Sequence, residues 1–388
     1  MDYIPRNIEN ELYTALQNTP VTALIGPRQC GKSTLAKSII KNLPDVVYLD
    51  LERPSDLLKL EDAEWFFSSQ KEYLFCIDEI QRKPELFPVI RSLVDDWGQN
   101  GKFLILGSAS RDLLKQSSES LAGRITYKKL TPFLWSEINN LISLKSYMER
   151  GGFPRSILSP DDSISFTWRE DFISTFLERD LLQWKGISTV TMRRLWQMLA
   201  NVNGQTVNFS LLGNSLGVSN VTIRNYIDLL AGTFMVEVIT PYISNLGKRM
   251  VKSSRIYISD SGITSALLNL EAFNDLAGHP AIGAVWEQII LTNLKGHFPG
   301  AEFFFYRTTA GSEIDFVMKH RNKIFAIECK SSLSPQLTKG FYNGIEDINP
   351  HHSFVAAPVT EGWAISKSIK VVSISELVES VKGFTTTG

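Results

Sequence analysis

Short apolar stretches alternate with amphipathic stretches over the first third of the chain. The apolar stretches lie at residues 21–25, 46–51, 73–77 and 102–106, and the amphipathic ones at 9–17, 33–41, 56–68 and 84–97. Short apolar runs are typical of buried strands, and apolar positions spaced three and four residues apart are typical of helices. Strands that alternate with helices predict a mostly parallel sheet with helices on both faces. The sequence therefore predicts an α/β domain over residues 1–130.

The middle of the chain has a mainly helical pattern. We predict a helical linker or lid over residues 131–188, with a hinge at the glycine and proline cluster 151–154. Residues 209–230 predict a helix–turn–helix, in which Leu211, Leu212 and Leu216 form one apolar face and Ser219 caps the second helix. The strand-like stretch 234–242 would be the wing of a winged helix over residues 189–255.

Strand patterns return in the last third of the chain. They predict helix 282–297, strands 302–307, 313–318 and 323–329, helix 336–347 and strand 353–357. This is the core order of the restriction-endonuclease-like fold, which we expect over residues 256–388. The predicted fold class is α/β, with a parallel-sheet domain first, a helical and winged-helix middle, and this second α/β domain last.

Composition and charge indicate in which cellular compartment the protein is expected. The 388-residue chain has a net charge of −1 and 43% hydrophobic residues, which is ordinary for a globular protein. Its three cysteines have no metal-ligand spacing, no apolar run approaches the length of a membrane span, and the first residues are too polar for a signal peptide. We therefore expect a cytoplasmic protein without a membrane partner. The low net charge of the whole chain still allows a local basic patch that binds nucleic acid.

The strand at 21–25 runs into the sequence GPRQCGKST and then into a helix. This GxxxxGK[ST] pattern predicts a P-loop, whose backbone N–H groups and helix N-terminus bind the phosphates of ATP. Lys32 would reach the β- and γ-phosphates, and the Ser33 hydroxyl would bind Mg²⁺. The predicted ATP-binding residues of this loop are Gly26, Pro27, Arg28, Gln29, Cys30, Gly31, Lys32, Ser33 and Thr34.

Polar residues follow two further strands of the predicted sheet. Asp78 would hold Mg²⁺, and Glu79 would orient and deprotonate the attacking water. Ser108 would sense the γ-phosphate, or would merely cap the next helix. Arg124 is either a structural residue or an arginine finger for the transition state, in its own chain or in a homo-oligomer on a neighbouring subunit's nucleotide.

Nearly the whole chain resembles prokaryotic AAA-type P-loop ATPases that carry a C-terminal domain of unknown function. The resemblance rests on GPRQCGKST, YLDLERPSD (48–56), CIDEIQRKPELFPVIRSLVDD (76–96), ILGSAS (105–110), SLAGRI (120–125), RGGFP (150–154), FLERDL (176–181), YISDSGI (257–263) and GAVWEQ (283–288). It implies ATP binding and this domain architecture. It implies little about the biological process.

The predicted winged helix has two interpretations. In the first it binds DNA, with Asn220, Thr222, Arg224 and Asn225 facing a groove. Phosphates would then be contacted by nearby basic residues, namely Arg193, Arg194, Lys248, Arg249, Lys252 and Arg255. In the second it serves only packing or oligomerisation, as acidic neighbours such as Asp228 and Glu237 allow.

Three acids and a lysine recur in order along the predicted C-terminal elements. Glu328 and Lys330 are two residues apart on one strand and so share a face, Asp315 lies on the neighbouring strand, and Glu287 lies on the helix. The set resembles the PD-(D/E)xK nuclease pattern, although Ile314 stands where that pattern has proline. The acids would bind Mg²⁺ or Mn²⁺, and Lys330 would be catalytic. The alternative is an idle fold with a salt-bridged surface.

Together these modules lead to two functional hypotheses. In the first, ATP hydrolysis controls a DNA-associated, nuclease-like C-terminal domain. In the second, the chain is an ATP-driven switch or protein-remodelling factor whose idle nuclease fold binds partners. A nucleotide kinase is a weaker third hypothesis, because the sequence has no recognisable acceptor pocket or lid for one.

Overall fold

The computed structural model describes residues 3–108, 117, 119–180, 188–243 and 250–386. The chain divides into two units. Unit 1 contains residues 1–133 together with 232–234, and unit 2 contains residues 134–231 and 235–388.

Unit 1 is built on five parallel strands. They are β1 (Val21–Gly26), β2 (Val46–Asp50), β3 (Leu74–Asp78), β4 (Phe103–Ser108) and β5 (Ile125–Lys129), in the order β2-β3-β4-β1-β5. The described helices of this unit are Glu9–Asn18, Lys32–Ile40, Pro54–Lys59, Ala63–Ser68 and Leu86–Trp97, with a 3₁₀ turn at Ile80–Arg82. The single helix predicted at 56–68 is therefore two, because Asp62 caps a new helix by accepting the Trp65 N–H at 3.0 Å.

The side chains of β1 alternate between two apolar cores. Val21, Ala23 and Ile25 belong to one core with Phe75 and Phe103, whereas Leu24 belongs to a second core on the other face. All six residues of β1 are buried. A parallel strand covered on both faces needs apolar residues at consecutive positions, which is why these strands read as continuous apolar runs.

Unit 2 combines helices with a mixed sheet. Its strands are β6 (Val236–Pro241), β7 (Arg255–Ile258), β8 (Glu302–Arg307), β9 (Glu313–His320), β10 (Lys323–Cys329), β11 (His352–Ala356), β12 (Trp363–Ala364) and β13 (Ile369–Val372). Its described α-helices up to the start of β6 are Trp135–Ile138, Leu144–Arg150, Pro154–Ile157, Asp162–Thr175, Thr189–Asn201, Phe209–Leu216 and Asn220–Gly232, with a π-helical turn at Phe176–Asp180. The later ones are Ser261–Leu267, Phe273–Gly278, Ile282–His297, Lys339–Ile348 and Ile374–Thr386.

The strand predicted to be a wing belongs to a larger sheet. β6 pairs antiparallel with β7 and parallel with β8, so that the order is β12-β13-β11-β10-β9-β8-β6-β7. β7 spans residues 255 and 256, the boundary expected between a winged helix and the last domain. One apolar core also joins Phe172, Trp196, Leu212 and Ile258. The three segments predicted after residue 130 thus share packing within unit 2.

The glycine cluster expected to be a hinge is a tightly packed joint. Asp260 accepts the Gly152 N–H at 2.7 Å and the Ile263 N–H at 3.0 Å, and Phe153 is buried. The carbonyl of Arg150 accepts the Ser156 hydroxyl at 2.6 Å. Because Asp260 joins Gly152 to a helix that begins more than 100 residues further along the chain, these bonds stabilise one arrangement of the cluster.

Two helices match the predicted helix–turn–helix, with one correction to their apolar face. Asn208 caps Phe209–Leu216, Gly217 adopts a left-handed φ of 67°, and the Ser219 hydroxyl accepts the Thr222 N–H at 3.1 Å. Leu212 is buried, but Leu211 is 63% exposed. Adjacent helical residues point about 100° apart, and here Leu212 faces the core while Leu211 faces solvent.

Among the described residues, no helix combines the length and apolar character needed to cross a bilayer.

Candidate functional site

The loop between β1 and the helix Lys32–Ile40 forms a backbone cradle. Gln29 and Gly31 have left-handed φ values of 60° and 101°, and the helix begins directly at Lys32. A Cβ on Gly26 would lie 2.2 Å from the Leu130 carbonyl oxygen, so only glycine fits there. Cys30 and Pro27 are buried, whereas Gln29 and Thr34 are exposed. The loop thus presents N–H groups at a helix N-terminus, where anions bind.

Lys32 folds back over this loop. Its ammonium group is buried and donates to the Gly26 carbonyl at 3.1 Å and the Pro27 carbonyl at 2.8 Å. These carbonyls satisfy a buried charge that otherwise has a large desolvation cost. A phosphate in the cradle is a stronger partner for the ammonium than two neutral carbonyls. The lysine is therefore placed to exchange these bonds for bonds to an anion.

Asp78 is held at both carboxylate oxygens. Oδ2 accepts the hydroxyl of Tyr48 at 2.6 Å, and Oδ1 accepts the Glu79 N–H at 3.0 Å. Burial and the hydrogen bond to Asp78 raise the pKa of Tyr48, so this hydroxyl stays a donor at neutral pH. The orientation of the Asp78 carboxylate is thereby fixed. Tyr48 is a site residue that the motif search did not single out.

Glu79 adopts a strained backbone conformation next to Asp78. Its φ of 57° and ψ of 42° are left-handed, a region that costs a non-glycine residue on the order of 1 kcal/mol. Its carboxylate accepts a hydrogen bond from the Gln81 side chain. Such strain is common at functional sites.

The strand register brings the predicted residues to one edge of the sheet. Gly26 pairs with Ser108, and Asp50 pairs with Asp78. The P-loop, Asp78 and the end of β4 therefore lie at the carboxyl ends of adjacent parallel strands, where ligands of α/β sheets bind. The side chain of Ser108 lies outside the described part of the chain, and its sensor role stays a prediction.

Arg124 lies at the opposite edge of the sheet. It precedes Ile125, which pairs with Val21 at the start of β1, whereas the P-loop follows the end of β1. Five residues of strand separate the two ends by about 16 Å, at a rise of about 3.3 Å per residue. Arg124 forms a bidentate ion pair with Asp95, which lowers the pKa of Asp95. Its position does not suit a role at the P-loop of its own chain.

Arg6 is a second residue that motif reasoning missed. Its guanidinium donates to the Cys30 carbonyl at 3.1 Å and the Thr131 carbonyl at 2.7 Å, and lies 4.5 Å from the centre of the Phe133 ring. It thus attaches the first residues of the chain to the P-loop. No sequence signal marks it, because its partners are 24 and 125 residues away.

In unit 2 the structure brings together the predicted acidic residues on the expected elements. Asp315 on β9 and Glu328 on β10 are 8% and 5% exposed. Glu287, on helix Ile282–His297, accepts the Tyr257 hydroxyl at 2.7 Å. Burial, followed by the neighbouring Asp315 carboxylate, raises the pKa of both Glu287 and Glu328. We call Glu287, Asp315 and Glu328 the acidic cluster.

Protein groups already occupy most oxygens of this cluster. Asp315 accepts the Cys329 N–H at 2.9 Å through Oδ2, and Arg255 lies 3.5 Å from Oδ1. Lys330 binds Glu328 Oε1 at 2.7 Å, whereas Glu328 Oε2 is buried without a hydrogen-bond partner in the described structure. The described residues contain no group of three or more His, Cys, Asp or Glu side chains placed to hold a metal ion. Because Mg²⁺ needs several oxygen ligands, this arrangement does not fit the predicted metal.

Some of the predicted DNA-contacting residues are exposed, and others are held by protein groups. Arg224 stacks on Phe209 at 4.2 Å from the ring centre, and Asn220 donates to the Ser210 hydroxyl at 3.1 Å. Asn225, Arg193, Arg194 and Lys252 are exposed. Arg255 is buried and paired with acids, so its expected contact with DNA phosphates is wrong. Lys248 and Arg249 lie outside the described residues.

Comparison with family models divides the chain into three matches. Residues 18–139 match an AAA domain, residues 141–274 match a domain of unknown function (DUF8612), and residues 282–377 match a second domain of unknown function (DUF4143). The first match contains the P-loop, Asp78 and Glu79. Unit 1 is therefore an AAA-type P-loop domain, as its sequence motifs predict.

Curated proteins match over most of the chain. The uncharacterized protein Rv2008c of Mycobacterium tuberculosis is 34% identical over 374 residues, covering 96% of this chain and 84% of that protein. An uncharacterized protein of Mycobacterium bovis matches to the same extent, and one of Haemophilus influenzae is 26% identical over 63% of this chain and 68% of its own length.

Solved structures match only loosely. A STAND ATPase with a tetratricopeptide repeat sensor from Pyrococcus horikoshii is 13% identical, covers 76% of this chain and 45% of its own, and gives a TM-score of 0.31. AMPPCP-bound DnaA from Aquifex aeolicus is 12% identical, covers 58% and 86%, and gives a TM-score of 0.30. TM-scores this low carry no argument about function.

Proposed function

Because this chain belongs to the family of the mycobacterial protein Rv2008c and carries an AAA domain, we propose that it binds and hydrolyses ATP at the P-loop of unit 1. The observation that carries the proposal is the buried Lys32 ammonium, which donates to two loop carbonyls beside the carboxyl ends of β1 and β4. A buried cation in a backbone cradle at a helix N-terminus is suited to phosphate binding.

The residues of the cradle have separate roles in this proposal. The loop N–H groups from Arg28 onward bind phosphate oxygens, and Lys32 neutralises charge on the β- and γ-phosphates. Ser33 and Asp78 would hold Mg²⁺, which neutralises charge on the phosphates when it is bound with ATP. Tyr48 fixes the Asp78 carboxylate by donating to Oδ2 at 2.6 Å. Glu79 accepts the proton of the attacking water.

We expect Lys32→Ala to weaken ATP binding at least tenfold, about 1.4 kcal/mol, because the loop loses its buried cation. Titration with a fluorescent ATP analogue measures the dissociation constant. Lys41→Ala is the matched control, since it removes the same charge from an exposed position just after the same helix. Equal affinity of the Lys32 and Lys41 variants would refute the proposed site.

For unit 2, our first candidate function is a DNA-associated, nuclease-like region controlled by the nucleotide state of unit 1. The exposed residues Asn225, Arg193, Arg194 and Lys252 support DNA contact. In a homo-oligomer, Arg124 would act on the nucleotide of a neighbouring subunit, because it lies at the far edge of its own sheet. Engagement there requires release of its ion pair with Asp95.

Salt dependence tests the DNA proposal. If unit 2 binds duplex DNA through phosphates, the logarithm of the binding constant falls with the logarithm of salt concentration, by about 0.9 per phosphate contacted. We expect Arg194→Ala with Lys252→Ala to reduce that slope by about 2 in a fluorescence anisotropy titration. Glu271→Gln, an exposed acid elsewhere in unit 2, is the control and leaves the slope unchanged. A wild-type protein that binds no duplex at low salt excludes this candidate.

Two observations favour a second candidate function, an ATP-driven switch that binds protein partners. The acidic cluster is paired with Arg255 and Lys330 instead of being open to a metal. Beside the stacked Arg224, the helix pair exposes Leu211 and Val221, by 63% and 66%. Exposed apolar side chains suit a protein surface better than a phosphate backbone.

A further inference from the structure

The acidic cluster of unit 2 needs a cation, and the fold supplies one from a neighbouring strand. Three carboxylates within one buried region repel each other unless a positive charge lies beside them or some of them hold a proton. Lys330, which directly follows β10, forms its ion pair with Glu328 at 2.7 Å, and 27% of its side chain is exposed. Burial raises the pKa of Asp315, and the charge of Arg255 opposes this more strongly than that of Lys330 does.

Arg255, the first residue of β7, is placed to neutralise the remaining acids. Its side chain is 4% exposed, lies 3.5 Å from Asp315 Oδ1 and forms an ion pair with Glu313. The guanidinium also stacks over the ring of Phe305 at 4.7 Å. Two residues further along β7, Tyr257 donates to Glu287 at 2.7 Å. One short strand thus supplies both a cation and a hydrogen-bond donor to the cluster.

We infer that Arg255 is the resident cation of the acidic cluster and takes the place of the divalent metal ion that the nuclease-like pattern predicts. A guanidinium is a permanent, delocalised charge that forms several hydrogen bonds to carboxylates, which suits it to a buried site. With Arg255 beside Asp315 Oδ1 and the Cys329 N–H on Oδ2, each Asp315 oxygen already has a positive or donor partner from the protein. The cluster then ties β7 to β9 and helix Ile282–His297 as a structural element. The inference does not depend on ATP hydrolysis by unit 1.

Mn²⁺ binding to the nucleotide-free protein tests the inference directly. Electron paramagnetic resonance counts the free Mn²⁺ that remains after addition of wild-type protein or of Asp315→Asn. We expect equal uptake by both, since any Mn²⁺ bound near the P-loop is common to them. If the wild type binds one more Mn²⁺ than Asp315→Asn, the cluster is a metal site and the inference is wrong.

The melting temperatures of variants that change the charges of the cluster test the same inference independently of metal binding. We expect Arg255→Met to lower the melting temperature of unit 2 by about 10 °C, because it leaves buried acids without their cation. Arg255→Lys restores part of that loss. Adding Asp315→Asn to Arg255→Met restores at least half, because the uncompensated charge is removed.

Arg307→Met is the matched control for this series. Arg307 also faces Glu313, at 3.8 Å, but it is exposed, so its loss should change the melting temperature by no more than about 1 °C. If Arg255→Met is as stable as Arg307→Met, the inference is overturned. If Arg255→Met does not fold, folding of its double variant with Asp315→Asn supports the inference, and failure of both contradicts it.

Discussion

Glu79→Gln is expected to keep ATP binding at the wild-type level and to slow ATP hydrolysis by about 10²–10⁴-fold, the usual contribution of a general base. Glutamine has the same shape as glutamate but cannot take a proton from water. The left-handed backbone at Glu79, with φ of 57°, and the donor Gln81 remain compatible with the amide. Binding should persist because the phosphates are held by Lys32 and the loop, not by Glu79.

Two measurements separate ATP binding from ATP hydrolysis. A fluorescent ATP analogue gives the dissociation constant, and phosphate release in a single turnover with excess protein gives the hydrolysis rate. Glu85→Gln is the matched control, because Glu85 lies in the same segment and its side chain is 67% exposed. If Glu79→Gln binds ATP as weakly as Lys32→Ala, or hydrolyses it at the wild-type rate, Glu79 does not have the proposed role.

The local pattern of unit 1 was sufficient to predict most of its elements. β1, β3 and β4 are continuous apolar runs because both faces of each are covered, and the loop after β1 is fixed by its glycines. Tyr48 and Arg6 could not be found in this way. Their partners, Asp78 and Cys30, are 30 and 24 residues away, and only the strand order brings them together.

In unit 2, too, the sequence did not reveal partners that only the strand order brings together. The strand patterns correctly predicted that Asp315 and Glu328 lie near each other on β9 and β10, with Lys330 just after β10 on the Glu328 carboxylate. The role of Arg255 was misassigned as a phosphate contact, since its charge in the sequence suggests a surface. Arg255 is buried because β6 pairs with both β7 and β8. Local sequence patterns predict single strands but not which strands pair.

Gly262→Ala is expected to lower the free energy of unfolding of unit 2 by about 3 kcal/mol, at the upper end of typical overpacking costs. A Cβ on Gly262 would lie 2.1 Å from the Arg150 carbonyl oxygen and 2.9 Å from the Gly151 nitrogen. Relief would require backbone movement. That movement is opposed by the Ser156 hydroxyl on the Arg150 carbonyl and by the bond from Gly152 to Asp260.

Hydrogen–deuterium exchange of the peptides that contain helices Leu144–Arg150 and Ser261–Leu267 measures this effect without assuming that both units unfold together. A loss of 3 kcal/mol corresponds to about 100-fold faster exchange where unit 2 opens by unfolding. Gly283→Ala is the control, because Gly283 is likewise the second residue of a helix but its added Cβ would meet no atom within 4 Å. That variant should be neutral or stabilising by up to about 1 kcal/mol, since alanine favours helices. Equal exchange in the Gly262 and Gly283 variants would mean that the joint between Arg150 and Gly262 is loose enough to admit a methyl group.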